Sequence, residues 1–118
     1  MAEGTIQVID YTDISNLFNI VWQRMTIDKM SAKKYNTGRY ELYVRATITT
    51  NLTSAQRSLL ALSSSTHLPA TATVTGTANV NGSSNFFVCS DSAQTNIDVY
   101  HNGLSTGDKI VIYITWYV

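Results

Sequence analysis

The chain has 118 residues, of which 44% are hydrophobic and 14% charged, and its eight basic and eight acidic residues give a formal net charge of zero. This length fits one domain without a second catalytic lobe, and the neutral balance disfavours binding to nucleic acid or anionic lipid. The single cysteine, Cys89, excludes an internal disulfide and a multi-cysteine zinc site, and its apolar neighbours predict a buried thiol.

Apolar and polar residues alternate with a period of two in most segments, which predicts β-strands. We expect these strands at residues 5–11, 17–30, 39–50, 71–80, 86–90, 96–101 and 109–117. The strand at 71–80 has an inner face of small side chains, so we expect Trp22 or Trp116 to pack over it. Residues 53–65 depart from the alternation and predict a long connection with at most one or two helical turns. Short strands joined by turns such as Asn81-Gly82 indicate an all-β sandwich or closed barrel.

The sequence contains no motif of a metal or cofactor site, and no catalytic motif in the context that it requires. There is no Cys-x-x-Cys, His-x-x-x-His or calcium-loop spacing and no glycine-rich phosphate loop. Gly103-Leu104-Ser105-Thr106-Gly107 has the Gly-x-Ser-x-Gly spacing of a nucleophile elbow, but it lies between two predicted strands, whereas an elbow joins a strand to a helix. A glycosidase needs two facing carboxyl groups, and the spacing of Asp91, Asp98 and Asp108 does not indicate such a pair. We therefore expect no metal, no cofactor and no enzymatic activity.

The strand at 96–101 offers the groups that suit a sugar ligand. Asn96, Asp98 and Tyr100 alternate with Ile97, Val99 and His101, so the first three share one face. An amide and a carboxylate can bind vicinal hydroxyls, and an aromatic ring can pack on a pyranose. The alternative is an ordinary polar face.

For Tyr113 and Tyr117, on the last strand, we expect packing against a neighbouring subunit rather than ligand stacking.

Four stretches carry a resemblance to a known family: Tyr40-Glu41-Leu42-Tyr43-Val44-Arg45-Ala46, the step from Leu68-Pro69 into Ala72-Thr73-Val74-Thr75-Gly76, Asn96-Ile97-Asp98-Val99-Tyr100-His101-Asn102-Gly103, and Trp116-Tyr117-Val118. In these the chain resembles the C-terminal head domains of receptor-binding and baseplate proteins from siphophages of lactic acid bacteria, of the lactococcal phage type. The resemblance implies an antiparallel β-barrel, jelly-roll-like with Greek-key connections, that forms a homotrimer. It also implies that residues 1–16 lead in from a stalk or neck and that 17–118 form the head.

The family's heads bind saccharides of the host cell wall without catalysis. The resemblance therefore implies a location at the tail tip or baseplate of a virion, outside the cell. The implied partners are a wall saccharide, further copies of the chain and other baseplate or tail proteins, with no nucleic acid and no membrane insertion. The rival interpretations are a purely structural trimeric virion or C1q-like β-domain without a ligand site, and an envelope-degrading enzyme.

The saccharide site implied by the resemblance comprises Asn96, Asp98, Tyr100, His101 and Trp116. A His-x-Asp pair that contacts sugar in some members of the family reads Asn96-x-Asp98 here, so Asp98 carries over and Asn96 is a changed partner. Those members also have a tryptophan soon after the Asn-Gly turn, where this chain has Leu104. We expect the ring of Tyr100, His101 or Trp116 to replace it.

Overall fold

The computed structural model describes residues 9–21, 23–62, 74–82, 84–90 and 96–117. These residues form one 3-10 turn, Ser15–Leu17, and nine β-strands. The strands are β1 Tyr11–Asp13, β2 Phe18–Ile20, β3 Met25–Tyr35, β4 Arg39–Ile48, β5 Ser58–Leu62, β6 Thr75–Val80, β7 Ser84–Ser90, β8 Asn96–Val99 and β9 Lys109–Tyr117.

All nine strands belong to one antiparallel sheet in the order β1-β3-β4-β9-β6-β7-β8-β5-β2, curled into a half-barrel. Strands β6, β7 and β8 follow one another as neighbours, and β9 returns to lie beside β6, which is a Greek key. The two edge strands, β1 and β2, are consecutive in the chain and are joined through Ile14 and the 3-10 turn. The predicted all-β antiparallel fold is confirmed.

Period-two alternation builds the core of the sheet. Leu42 and Val44 on β4 lie directly opposite Ile114 and Ile112 on β9, and all four side chains are buried. Complete burial of an aliphatic side chain contributes about 1.5–3 kcal/mol, so this central pair of strands holds much of the stability of the fold. The outward residues of the same strands, apart from Val111, are polar or aromatic, and they form the outer face of the half-barrel.

Strand β5 corrects the prediction of a long connection at 53–65. Residues 58–62 pair with β8 on one side and β2 on the other. A register shift between Ser58 and Leu60 allows two consecutive residues, Leu59 and Leu60, to be buried. This irregularity interrupts the alternation, and for that reason the sequence pattern did not predict a strand.

The N-terminal part of the sheet differs from the prediction in three ways. The strand expected at 17–30 is broken between β2 and β3, where Gln23 has a φ of 54°, and β3 continues to Tyr35. The first strand lies at Tyr11–Asp13, and residues 5–8 of the strand expected at 5–11 lie outside the described residues. Residues 11–13 pair with β3 and Ile14 is buried in the core, so this segment packs with the head that was expected to begin at 17.

Gly76, one of the small inward residues of β6, packs directly against β9. A Cβ on Gly76 would lie 2.7 Å from Cγ1 of Ile114, so the side chain of the neighbouring strand occupies that space. Of the two tryptophans expected to pack over β6, Trp116 stacks on Tyr40, with ring centroids 5.3 Å apart. Trp22 lies outside the described residues, so its packing over β6 stays a prediction.

Candidate functional site

The outer face of β8 presents the three side chains that alternation predicted. Ile97 and Val99 are buried, whereas Asn96 and Asp98 are half-buried and Tyr100, just after the strand, is 42% exposed. The two inward residues fix the strand against the core. The outward residues are therefore held on a rigid element with their polar groups at the surface.

Asp98 is positioned by its neighbours on both flanking strands. It lies opposite Ser58 on β5 and opposite Cys89 on β7. The Ser58 hydroxyl donates a hydrogen bond to Oδ1 of Asp98 at 2.6 Å, the short distance expected for a hydroxyl bound to a carboxylate. This bond orients the carboxylate.

Asp98 lines a surface groove with a volume of about 380 Å³. The groove is bordered by Val21, Arg24, Ala55, Arg57, Ser58, Asn96 and Asp98. Nη1 of Arg24 donates to the backbone carbonyl of Ser58 at 2.9 Å, which holds that guanidinium beside β5. The volume falls within the range of small-molecule sites, and the polar lining suits a ligand with several hydroxyl groups.

An exposed aromatic pair flanks the groove. The Tyr100 ring meets Phe87 edge-on with centroids 5.7 Å apart, and Phe87 is 52% exposed. On the groove side, Cζ of Arg57 lies 4.5 Å from the Tyr100 centroid, within the range of a cation–π contact. Arg57 thus links the polar groove to the aromatic pair.

Cys89 lies on the outer face beside this pair and is half-buried, which corrects the prediction of a buried thiol. The prediction was wrong because adjacent residues of a strand lie on opposite faces. On β7, Val88 and Ser90 turn inward, whereas Phe87 and Cys89 turn outward. Interaction with the Cys89 thiol is the largest cause that raises the pKa of the Tyr100 hydroxyl above its ordinary value. Tyr100 therefore stays a neutral donor at physiological pH.

Two of the five predicted site residues do not lie at the surface. His101 is 3% exposed, its Nε2 is 2.9 Å from the carbonyl oxygen of Gln56, and its Nδ1 accepts from the N–H of Gly103 at 2.9 Å. The ring stabilises the turn instead of offering a flat contact. Trp116 is 7% exposed and packs in the core on Tyr40. The outward site is reduced to Asn96, Asp98 and Tyr100.

The structure adds four residues that sequence reasoning missed: Arg24, Arg57, Ser58 and Phe87. Three of them reach the groove because β5 lies between β2 and β8, an order that local periodicity does not reveal. A signal was present only at Phe87, an aromatic residue at an outward position of a predicted strand.

In the described part of the chain, no group of three or more His, Cys, Asp or Glu side chains is placed to hold a metal ion. The same residues include no helix long and apolar enough to cross a membrane. No protein-family model, curated protein or solved structure matches the chain.

Proposed function

We propose that this chain is the receptor-binding head of a phage tail or baseplate, and that it binds a cell-wall saccharide of a bacterial host without catalysis. The proposal joins the family resemblance of the sequence to the groove beside β8. It places the protein at the tail tip of a virion, as a homotrimer attached to other baseplate or tail proteins.

The observation that carries the proposal is the position of Asp98. Its carboxylate borders an open polar groove together with Arg57 and Asn96, and Arg57 also contacts the exposed ring of Tyr100. Carboxylate, guanidinium and amide groups can bind hydroxyls, while an aromatic ring can pack on the apolar face of a sugar. These are the groups that a non-catalytic saccharide site requires.

Such a shallow site binds one sugar weakly. A homotrimer displayed in several copies raises the apparent affinity, because each later contact is made at the high effective concentration that the first contact creates. The proposal therefore expects weak binding by a single site and strong adsorption by the assembled particle.

The test is the substitution Asp98→Asn, which removes the charge and keeps an oxygen that can accept from Ser58. Loss of a charge-assisted hydrogen bond costs about 1.5–3 kcal/mol, which corresponds to about a 10- to 150-fold weaker affinity for purified envelope saccharide. Asp98→Ala, which also removes the acceptor, should weaken binding at least as much.

The matched control is Asp10→Asn, because Asp10 is exposed at another part of the sheet and its carboxylate accepts from the neighbouring Tyr11 N–H. This variant changes the net charge by the same amount and should bind as the unmodified chain does. Circular dichroism and urea unfolding establish that each variant is folded. Unchanged affinity of a folded Asp98→Asn variant would remove Asp98 from the site.

A second candidate is a structural trimer without a ligand. It is favoured by Tyr113 and Tyr117, which lie on the outer face of β9 and are 42% and 66% exposed. Aromatic residues are enriched where proteins meet. A light-scattering mass of three times the 13.0 kDa chain, combined with no binding to host cells or envelope saccharide, would favour this candidate.

Two other results would indicate a different function. A stable monomer that binds saccharide would indicate an isolated carbohydrate-binding module. Release of soluble products from purified wall polysaccharide would contradict the non-catalytic proposal and favour an envelope-degrading enzyme.

A further inference from the structure

A second groove on the outer face contains three cationic side chains among its seven lining residues. It has a volume of about 500 Å³ and is formed by Asp28, Lys29, Arg45, Ala46, Lys109, Ile110 and Val111. Its basic residues come from three adjacent strands, β3, β4 and β9. Strands β6 and β7 separate it from β8, so it is distinct from the groove beside Asp98.

A β-bulge creates the cationic lining. The register between β3 and β4 passes from Ile27 opposite Ala46 to Lys29 opposite Arg45, which leaves Asp28 as an extra residue. Both Asp28 and Lys29 are exposed on the outer face as a result. Bulges are a recurrent means of redirecting a side chain at functional positions.

The bulge brings two like charges into direct opposition. Lys29 and Arg45 are cross-strand partners, and like charges at that position destabilise a sheet. The same two strands also contain the favourable arrangement, because Lys33 lies opposite Glu41. The Lys29–Arg45 pair is therefore a local conflict within a pair of strands that elsewhere matches opposite charges.

The nearby carboxylate forms no ion pair with either cation in the described part of the chain. Oδ2 of Asp28 accepts from the Thr47 hydroxyl at 2.8 Å, and that hydroxyl accepts from Nζ of Lys109 at 2.7 Å. The ion pair between described residues is Arg39–Glu41, at another part of β4. Lys29 and Arg45 thus present their charges to the groove.

We propose that this groove binds a phosphate group between Lys29 and Arg45, with Lys109 as a third cation. An anion there would relieve the repulsion between the two partners. A planar carboxylate is satisfied by one guanidinium fork, whereas three cations from three strands suit an oxyanion with several charged oxygens. This site goes beyond the proposed saccharide function and does not depend on it.

The test is a nuclear magnetic resonance titration of the full chain with inorganic phosphate at constant ionic strength. Chemical shifts should change at the backbone amides of Lys29, Arg45 and Val111. In the double variant K29Q/R45Q, the apparent affinity for phosphate obtained from these shift changes should be at least tenfold weaker. Higher salt should also weaken binding, because exposed charges are screened.

The matched control is Lys33→Gln, which removes one cation from the same face of β3 but leaves Lys29 and Arg45 in place. This variant should respond as the unmodified chain does. An equal response in the double variant, or shift changes centred elsewhere, would overturn the proposal. Because Asp98 is untouched, saccharide binding should persist in K29Q/R45Q, so the two proposals can fail separately.

Two further probes identify the source of the phosphate. Competition between poly(glycerol phosphate) and inorganic phosphate at the same amides would support a phosphate carried by a polyol polymer. Binding of inorganic phosphate alone would support a free ion. Tighter binding of duplex DNA than of poly(glycerol phosphate), at equal phosphate concentration, would assign the groove to nucleic acid and overturn the proposal.

Discussion

Replacement of Gly76 by alanine tests the contact between β6 and β9, which fixes the outer face between the two grooves. A Cβ at this position would lie 2.4 Å from the carbonyl oxygen of Tyr113 and 2.7 Å from Cγ1 of Ile114. Ordinary van der Waals contact begins near 3.4 Å, so relief requires a movement of 3.4 − 2.4 = 1.0 Å. The obstructing oxygen belongs to the backbone, and β6 itself must therefore move away from β9.

The cost follows from two contributions. Overpacking in a dense core costs about 1–3 kcal/mol, and a weakened ladder hydrogen bond adds about 1 kcal/mol. The expected loss for Gly76→Ala is therefore about 2–4 kcal/mol, a large part of the roughly 5–15 kcal/mol that stabilises a typical domain.

Urea unfolding measures this loss directly. With a slope of about 2 kcal/mol per molar, in the middle of the range for small proteins, the midpoint should fall by about 1–2 M while the slope stays constant. The control is Thr77→Ala, the next residue of β6, which is exposed and should change stability by less than about 0.5 kcal/mol. If Gly76→Ala were no more destabilising than Thr77→Ala, the close approach of β6 and β9 would be wrong.

Two further predictions concern side chains around the site. His101→Ala should cost about 2–4 kcal/mol in urea unfolding, because the Gln56 carbonyl and the Gly103 N–H lose their partner in a buried turn; a loss under about 1 kcal/mol would contradict the structural role of the ring. The raised pKa of Tyr100 means that the folded chain keeps this proton to higher pH than the unfolded chain. The stability that this retained proton gives to the folded state is fully present below the ordinary tyrosine pKa of about 10, and it is lost as the pH rises through the raised pKa. Cys89→Ala should lower the pKa of Tyr100 in a ring-carbon titration, and an unchanged titration would exclude the thiol as the cause.

The strands that could be predicted from the sequence are those with one buried and one exposed face over their whole length. Strands β4 and β9 meet this condition, because each lies between two neighbours in the sheet and alternates without interruption. Strand β5 does not, since its register shift buries Leu59 and Leu60 together. Alternation indicates a strand only where the ladder is regular.

Only part of the site could be predicted from the sequence, because alternation within a strand does not give the order of the strands in the sheet. Alternation correctly placed Asn96, Asp98 and Tyr100 on one face, because β8 is short and regular. Arg24 and Ser58 are 34 residues apart and meet through a hydrogen bond that depends on the order of strands in the sheet. Residue type alone suggested the rings of His101 and Trp116, but their burial follows from contacts with Gln56 and Tyr40.

A row of aromatic residues, interrupted by Thr77, links the groove beside Asp98 to the surface expected to contact other subunits. Tyr43 lies opposite Tyr113, Tyr113 opposite Thr77, and Thr77 opposite Phe87, whose carbonyl accepts from the Tyr100 N–H. With strands about 4.8 Å apart, the four steps from β4 to β8 span about 19 Å. A trimer interface built on this row would reach the edge of the groove.

Under the proposed function, the substitution Tyr113→Ser decides whether the proposed saccharide site lies within one subunit or between two. If the row is the trimer interface and the groove is shared between subunits, the variant should lose both the trimer mass and saccharide binding, although Tyr113 does not line the groove. If the trimer forms through another surface, mass and binding should both persist. Loss of the trimer with undiminished binding by the monomer would show that one chain holds the complete site, and it would exclude a groove shared between subunits.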